Sequence, residues 1–72
     1  MDNALDNAIN ANIEAYVKAV KDYEFFLKLG DDNIAEQYSS YFLAIKYTLY
    51  RIFPNDEAYI EDKLESATKT NR

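Results

Sequence analysis

Carboxylates are the main side chains in this sequence that could do chemistry. The 72 residues include 13 Asp and Glu, but no Cys and no His. The chain therefore has no thiol nucleophile, no disulfide, and no imidazole to bind a metal or transfer a proton near neutral pH. The motifs of serine hydrolases, phosphate-binding loops and zinc proteases are also missing. The composition predicts a protein that is not an enzyme and that uses no cofactor.

Carboxylates alone can still act as acid and base or bind hard cations. Such sites need a concave pocket or a converging shell of ligands, which a chain of this size seldom builds. Asp31, Asp32 and Asn33 are adjacent, but the remaining spacing of a calcium loop does not follow them. We expect these residues to form a turn and a helix cap. We therefore assign no catalytic, cofactor-binding or metal-ligating residue.

A second acidic segment, near the C-terminal end, could imitate the phosphates of a nucleic acid. An ordinary solvated helix face explains it more simply, because lysines elsewhere in the chain interrupt the negative field that a mimic needs. The acids of this candidate mimic face are Asp56, Glu57, Glu61, Asp62 and Glu65.

The net charge indicates which partners are suitable. Eight Lys and Arg against 13 Asp and Glu give −5, which disfavours attraction to nucleic acid or to anionic lipid. No apolar run reaches the roughly 20 residues that span a bilayer, and the first residues lack the features of a signal peptide. We expect a cytoplasmic protein whose partner is another protein with a basic or neutral surface, without direct binding to nucleic acid or membrane.

One Gly and one Pro divide the chain into its predicted elements. Gly30 suits the position just past a helix end, and Pro54 stops the next helix. The predicted helices span about residues 4–29, 34–53 and 56–67, with a frayed tail at 68–72 and with Asn3, Asn33 and Asn55 as N-caps. Strand-like alternation is absent. We predict a single all-α domain over residues 1–72, an antiparallel hairpin of two long helices followed by a short third helix.

Each long helix carries one apolar stripe with spacings of three and four residues. The connection between the helices is short, so the two stripes must face each other in an antiparallel hairpin. The stripe of the second helix runs on to Ile52. The predicted hairpin core joins Ile9, Ile13, Val20 and Leu27 to Ile34, Tyr41, Ile45 and Leu49.

Two further rows are not explained by the hairpin. An apolar row on the second helix is covered either by the third helix, through Ile60, Leu64 and Ala67, or by another chain. An alanine row on the first helix either allows close approach of another helix or reflects helix propensity alone. We expect both rows to contribute to a homodimer that completes a bundle, or to a partner surface. The rows are Leu43, Tyr47 and Tyr50 on the second helix and Ala4, Ala8, Ala11 and Ala15 on the first.

These features together predict a small helical interaction protein that regulates or inhibits a larger protein. In style, the acidic hairpin with a terminal helix resembles small helical proteins of bacteria and their phages. That resemblance carries no motif and assigns no residue, but it implies a regulatory or inhibitory binding role. The alternatives are a nucleic-acid mimic that blocks a DNA- or RNA-binding enzyme and a structural component of an assembly.

Overall fold

A computed structural model describes residues 4–70 of the chain. Three α-helices follow one another: α1 is Ala4–Lys28, α2 is Asp32–Ile52 and α3 is Glu57–Thr70, with a 3-10 turn at Pro54–Asp56 before α3. This part of the chain contains no strand, so the predicted all-α class is confirmed. The predicted cap Asn3 lies outside the described residues, as do the last two residues of the predicted tail.

The turn between α1 and α2 is set by Gly30. Its φ of 81° lies in the left-handed region that glycine adopts without a Cβ clash. The Gly30 N–H donates to the Leu27 carbonyl at 3.1 Å, and the Asp31 N–H donates to the Phe26 carbonyl at 3.0 Å. These two bonds form a Schellman motif, which pairs carbonyls that the end of α1 would otherwise leave unsatisfied.

The N-cap of α2 is Asp31, so the prediction of Asn33 was wrong. Asp31 Oδ1 accepts a hydrogen bond from the Ile34 N–H at 3.2 Å, and α2 begins at Asp32, two residues earlier than predicted. Aspartate and asparagine are both favourable N-cap residues. The Schellman motif at Gly30 decides between them, because it brings Asp31 directly to the start of the next helix.

α3 is longer than predicted and runs to Thr70. Thr68 is buried and its hydroxyl donates to the Leu64 carbonyl at 2.9 Å. Thr68 therefore continues the stripe of Ile60 and Leu64 at a spacing of four, with its polar atom satisfied inside the helix. The prediction of a frayed tail was wrong for residues 68–70. The predicted cap Asn55 lies within the 3-10 turn, whose start has no side-chain cap.

α3 packs against both long helices and closes the core. Ile60 and Leu64 are fully buried, together with Ile9 and Tyr16 of α1 and Leu49 of α2. The hydroxyl of Tyr59, near the start of α3, donates to Asp6 at 2.6 Å. The end of α3 lies beside Val20 and Glu24 of α1, so α3 runs parallel to α1.

Aromatic pairs join α1 to α2 toward the far end of the hairpin. The ring of Phe42 meets Tyr16 and Tyr23 edge-on, with centroids 5.7 and 5.6 Å apart. Phe26 and Tyr38 stack with an interplanar angle of 5°. Such pairs contribute about 0.5–1.5 kcal/mol each beyond burial, so they add to the contacts that hold α1 against α2 in this part of the hairpin.

The predicted hairpin core was only partly right. Ile9 and Leu49 are buried in it, while Leu27 and Tyr41 are exposed. Ile52 is exposed as well, although it continues the stripe of α2. The physical reason is that α3 covers one side of the hairpin only, so Tyr41 and Ile52 on the other side stay in water. Leu27 lies next to the end of α1, past Glu24, where the end of α3 lies. The remaining members of the predicted core are half-buried, namely Ile13, Val20, Ile34 and Ile45.

Candidate interaction surfaces

The apolar row of α2 and the acids of α3 meet where these two helices pack. Lys46 links them: its Nζ lies 3.6 Å from Glu61 Oε1 and 5.9 Å from the centroid of the Tyr50 ring. Tyr50 in turn meets Tyr47 edge-on, with centroids 5.8 Å apart. Two sets of residues that the sequence assigned separately therefore form one region. We call it the seam surface and define it as Leu43, Lys46, Tyr47, Tyr50, Glu57 and Glu61.

α3 covers the row of α2 only in part. Leu43 and Tyr50 are half-buried, and Tyr50 packs against the core that Ile60 and Leu64 complete. Tyr47 remains 52% exposed. The third helix shelters Tyr50, while Tyr47 presents an aromatic ring to solvent. Coverage of this row by another chain stays a prediction.

Charged and phenolic groups around Lys46 influence each other's ionisation. Burial raises the pKa of Tyr16 above its ordinary value, with Glu65 and Glu61 acting in the same direction against Lys46. Partial burial opposes the charge on Lys46, but Tyr50, Tyr16 and Glu61 outweigh it and raise the pKa of this amine. Burial also raises the pKa of Tyr50. With these raised pKa values, Tyr16 and Tyr50 are protonated and Lys46 is charged at neutral pH.

These shifts predict that the fold loses stability at alkaline pH. A phenol whose pKa is raised by folding stabilises the folded state below its unfolded pKa of 10.0, and this contribution disappears as pH rises through the folded pKa. The raised pKa of Lys46 acts in the same direction. We expect the free energy of unfolding, measured by urea titration, to fall between about pH 9 and pH 12.

The variant Tyr16→Phe tests the origin of this loss. It keeps the ring and removes the ionisable hydroxyl, so its stability should depend less steeply on pH than that of the wild type. Tyr41→Phe is the matched control, because it makes the same change at an exposed ring. Equal slopes for the wild type and Tyr16→Phe would contradict the assignment.

The acids of the candidate mimic face do not all point the same way. Asp56 is half-buried in the 3-10 turn, and its N–H donates to the Phe53 carbonyl. Glu57, Glu61 and Glu65 recur every four residues on the flank of α3 nearest α2, and Asp62 is also exposed. Positive charge interrupts this row, since Lys46 pairs with Glu61.

The opposite side of the hairpin carries an open apolar groove of about 390 Å³. Ala8 and Asn12 of α1 form one wall, and the Asn12 side chain donates to the Ala8 carbonyl at 2.8 Å. Ala11 and Ala15 are exposed and follow Ala8 by three and seven residues, so they extend this wall along α1. The α2 wall is formed by Tyr41, Ala44, Ile45, Thr48, Leu49 and Ile52.

Sequence reasoning recognised one wall of this groove and missed the other. The alanine row was identified from its spacing, and its member Ala4 is also exposed. Tyr41 was assigned to the hairpin core, and Ile52 was assigned to the apolar stripe of α2. Nothing in the sequence pattern singled out Ala44 and Thr48. They follow Tyr41 by three and seven residues, so they lie on the same face of α2 as Tyr41, and the exposure of Tyr41 in the structure identifies that face.

Within residues 4–70, no three carboxylates converge as a metal site would require. No helix in the same range combines the length and apolar character needed to cross a membrane. No family model, no curated protein and no solved structure matches this chain. The two surfaces described above are therefore the basis for considering function.

Proposed function

We propose that this protein is a small interaction module that binds and modulates a larger protein through the seam surface. The observation that carries the proposal is the exposed ring of Tyr47, which meets Tyr50 edge-on in the region where Lys46 pairs with Glu61 of α3. Tyrosine is enriched among the residues that dominate binding energy in protein interfaces. The proposal concerns binding without catalysis, consistent with a sequence that contains no Cys, no His and no recognised catalytic motif.

The chemistry of the seam surface favours a basic segment of the partner. An arginine or lysine can lie over the face of a tyrosine ring and at the same time pair with a neighbouring carboxylate. Glu57 and Glu65 are exposed one turn to either side of Glu61, so they are available for such pairing even though Glu61 is near Lys46. The net charge of −5 adds long-range attraction toward a basic surface.

A nucleic-acid mimic is the main alternative, with a structural assembly component as the third. A mimic would depend chiefly on its charges, so its binding should weaken steeply with salt. An interface anchored by Tyr47 should retain most of its affinity in high salt. The exposed acids of α3 favour the mimic, and the interruption of their row by Lys46, Lys63 and Lys69 counts against it.

The experiment first identifies the partner by affinity capture from native host extract and then measures binding of the purified partner. Tyr47→Ala should weaken binding by about tenfold or more, the change expected for a well-buried interface aromatic. Phe25→Ala is the matched control: it removes an aromatic ring at similar exposure, 57% against 52%, from a position on α1 outside the seam surface. Equal affinities for the wild type and Tyr47→Ala would reject the seam surface as the binding site.

A second arm separates the mimic from the aromatic interface. The triple variant Glu57→Gln, Glu61→Gln and Glu65→Gln removes three charges and leaves the rings in place. If this variant loses binding while Tyr47→Ala keeps it, and if wild-type binding is abolished in high salt, the mimic is the better description.

A further inference from the structure

We propose that the side of the hairpin opposite α3 is a self-association surface and that its occupant is a second copy of this chain. We call this surface the hairpin face and define it as Ala8, Ala11, Ala15, Tyr41, Ala44 and Ile52. It lies away from the seam surface, so the inference goes beyond the proposed function and does not depend on it.

The hairpin face is apolar along its length. Tyr41 and Ile52 are among the most exposed large apolar side chains in the described chain, although they belong to the apolar stripe of α2. Between them lie Ala44 and Thr48, and all four line the groove. A continuous apolar face of this kind, in contrast to scattered single residues, is typical of an interaction site.

The distribution of charge selects a second copy as the occupant. No charged residue lines the groove, although charged residues make up 29% of the chain. A basic partner would find no carboxylate to pair with here and would be drawn to α3. The exposed acids of α3 lie on the far side of the hairpin, at least a helix diameter of about 10 Å from this face, so their repulsion between two copies is weakened by distance and by salt in the surrounding solvent, where the Debye length is about 8 Å. Two copies can thus meet at this face despite a net charge of −5 each.

The shapes of the two walls also suit a two-fold contact. A dimer with two-fold symmetry places the same surface of both copies together, so that residues of one wall meet residues of the other. The alanine wall leaves room for a neighbouring helix to approach closely, and the projecting Tyr41 and Ile52 of a second copy can fill that room. Large residues that pack against small ones give the interdigitation that helix bundles require.

The available area fits a weak dimer. The α2 residues of the groove run from Tyr41 to Ile52, roughly 18 Å of helix, and two adjacent helices are roughly 20 Å wide, which gives a face of about 360 Å². Two such faces bury about 700 Å², below the range for specific stable interfaces. We therefore expect a dimer that forms only at high protein concentration.

Sedimentation velocity over a range of concentrations tests this inference with variants of matched charge. Wild type should form a dimer, and Ala44→Glu or Ala11→Glu should raise its dissociation constant at least tenfold, because each variant buries a carboxylate without a partner. Ala58→Glu is the control: it adds the same charge at an exposed position of α3 and should leave the dimer unchanged. Ala44→Lys should weaken the dimer as well, which shows that burial of charge is responsible and not added negative repulsion.

A second measurement covers the case in which a glutamate variant fails to fold. The chain has no Cys, so Ala11→Cys and Ala44→Cys each introduce a single thiol, one on each wall of the groove. Oxidation of an equal mixture of these two variants should trap a disulfide-linked dimer that a mixture of Ala11→Cys and Ala58→Cys does not form. A wild type that stays monomeric at millimolar concentration, or an Ala44→Glu variant that dimerises normally, would overturn the inference. Tyr47→Ala should dimerise like wild type, because Tyr47 lies outside the hairpin face. Partner binding therefore tests the seam surface alone, and dimerisation tests the hairpin face alone.

Discussion

Leu64→Ala should destabilise this protein by about 2–5 kcal/mol, the range measured for truncation of fully buried leucines. Leu64 has 0% exposure and lies where α3 closes the core against Ile9, Tyr16 and Leu49. Truncation removes apolar contacts and leaves a cavity that three helices surround. A chain of 72 residues has a total stability of only about 4–11 kcal/mol, so this single change should bring it close to unfolding.

Leu29→Ala is the matched control for this experiment. It makes the same chemical change at a residue that is 63% exposed, and we expect it to alter stability by less than about 0.5 kcal/mol. Thermal unfolding followed by circular dichroism should separate the two variants by at least about 6 °C, given a shift of about 4–8 °C per kcal/mol for a domain of this size. Similar midpoints would mean that α3 does not close the core as described.

Ile9→Ala and Ile52→Ala should differ just as strongly. Both isoleucines belong to the apolar stripes of the hairpin, yet Ile9 is 2% exposed and Ile52 is 60% exposed. We expect a loss of about 2–5 kcal/mol for Ile9→Ala. For Ile52→Ala we expect less than about 1 kcal/mol, because most of its side chain is already in water.

The measurement is a urea titration at low micromolar protein concentration. Dilution matters because Ile52 belongs to the hairpin face. Self-association would stabilise the wild type at high concentration, and Ile52→Ala would then lose stability through a weaker dimer and not through a weaker monomer core. At high concentration, the gap between the wild type and Ile52→Ala should widen if the hairpin face associates. A large loss for Ile52→Ala at low concentration would show that Ile52 belongs to the monomer core.

The two proposed surfaces have a joint consequence. A dimer formed through the hairpin face would carry a seam surface on each of its two outer sides. Binding to a partner with two basic segments would then be strengthened by effective concentration, without any additional contact. A dimerisation variant such as Ala44→Glu should lose this gain while keeping the affinity of a single seam surface.

Local signals in the sequence determined the helices of this protein. The positive φ that Gly30 adopts and the missing N–H of Pro54 act within a few residues, so the two breaks in the helical pattern could be identified without knowledge of the fold. The spacing of Ile9 and Leu49 likewise marks residues that turn inward on any hairpin. The all-α class and the order of the elements follow from such short-range effects.

The tertiary structure decided which residues are buried and which surfaces remain. A helical stripe more than 100° wide shows which residues turn toward the partner helix, but not which edge of the stripe the third helix will cover. α3 settles on the edge near Tyr16 and Lys46, so Tyr50 is sheltered, while Tyr41 and Ile52 on the other edge stay in water. The seam surface and the hairpin face both result from the position of α3, because each depends on contacts between helices that are far apart in the sequence.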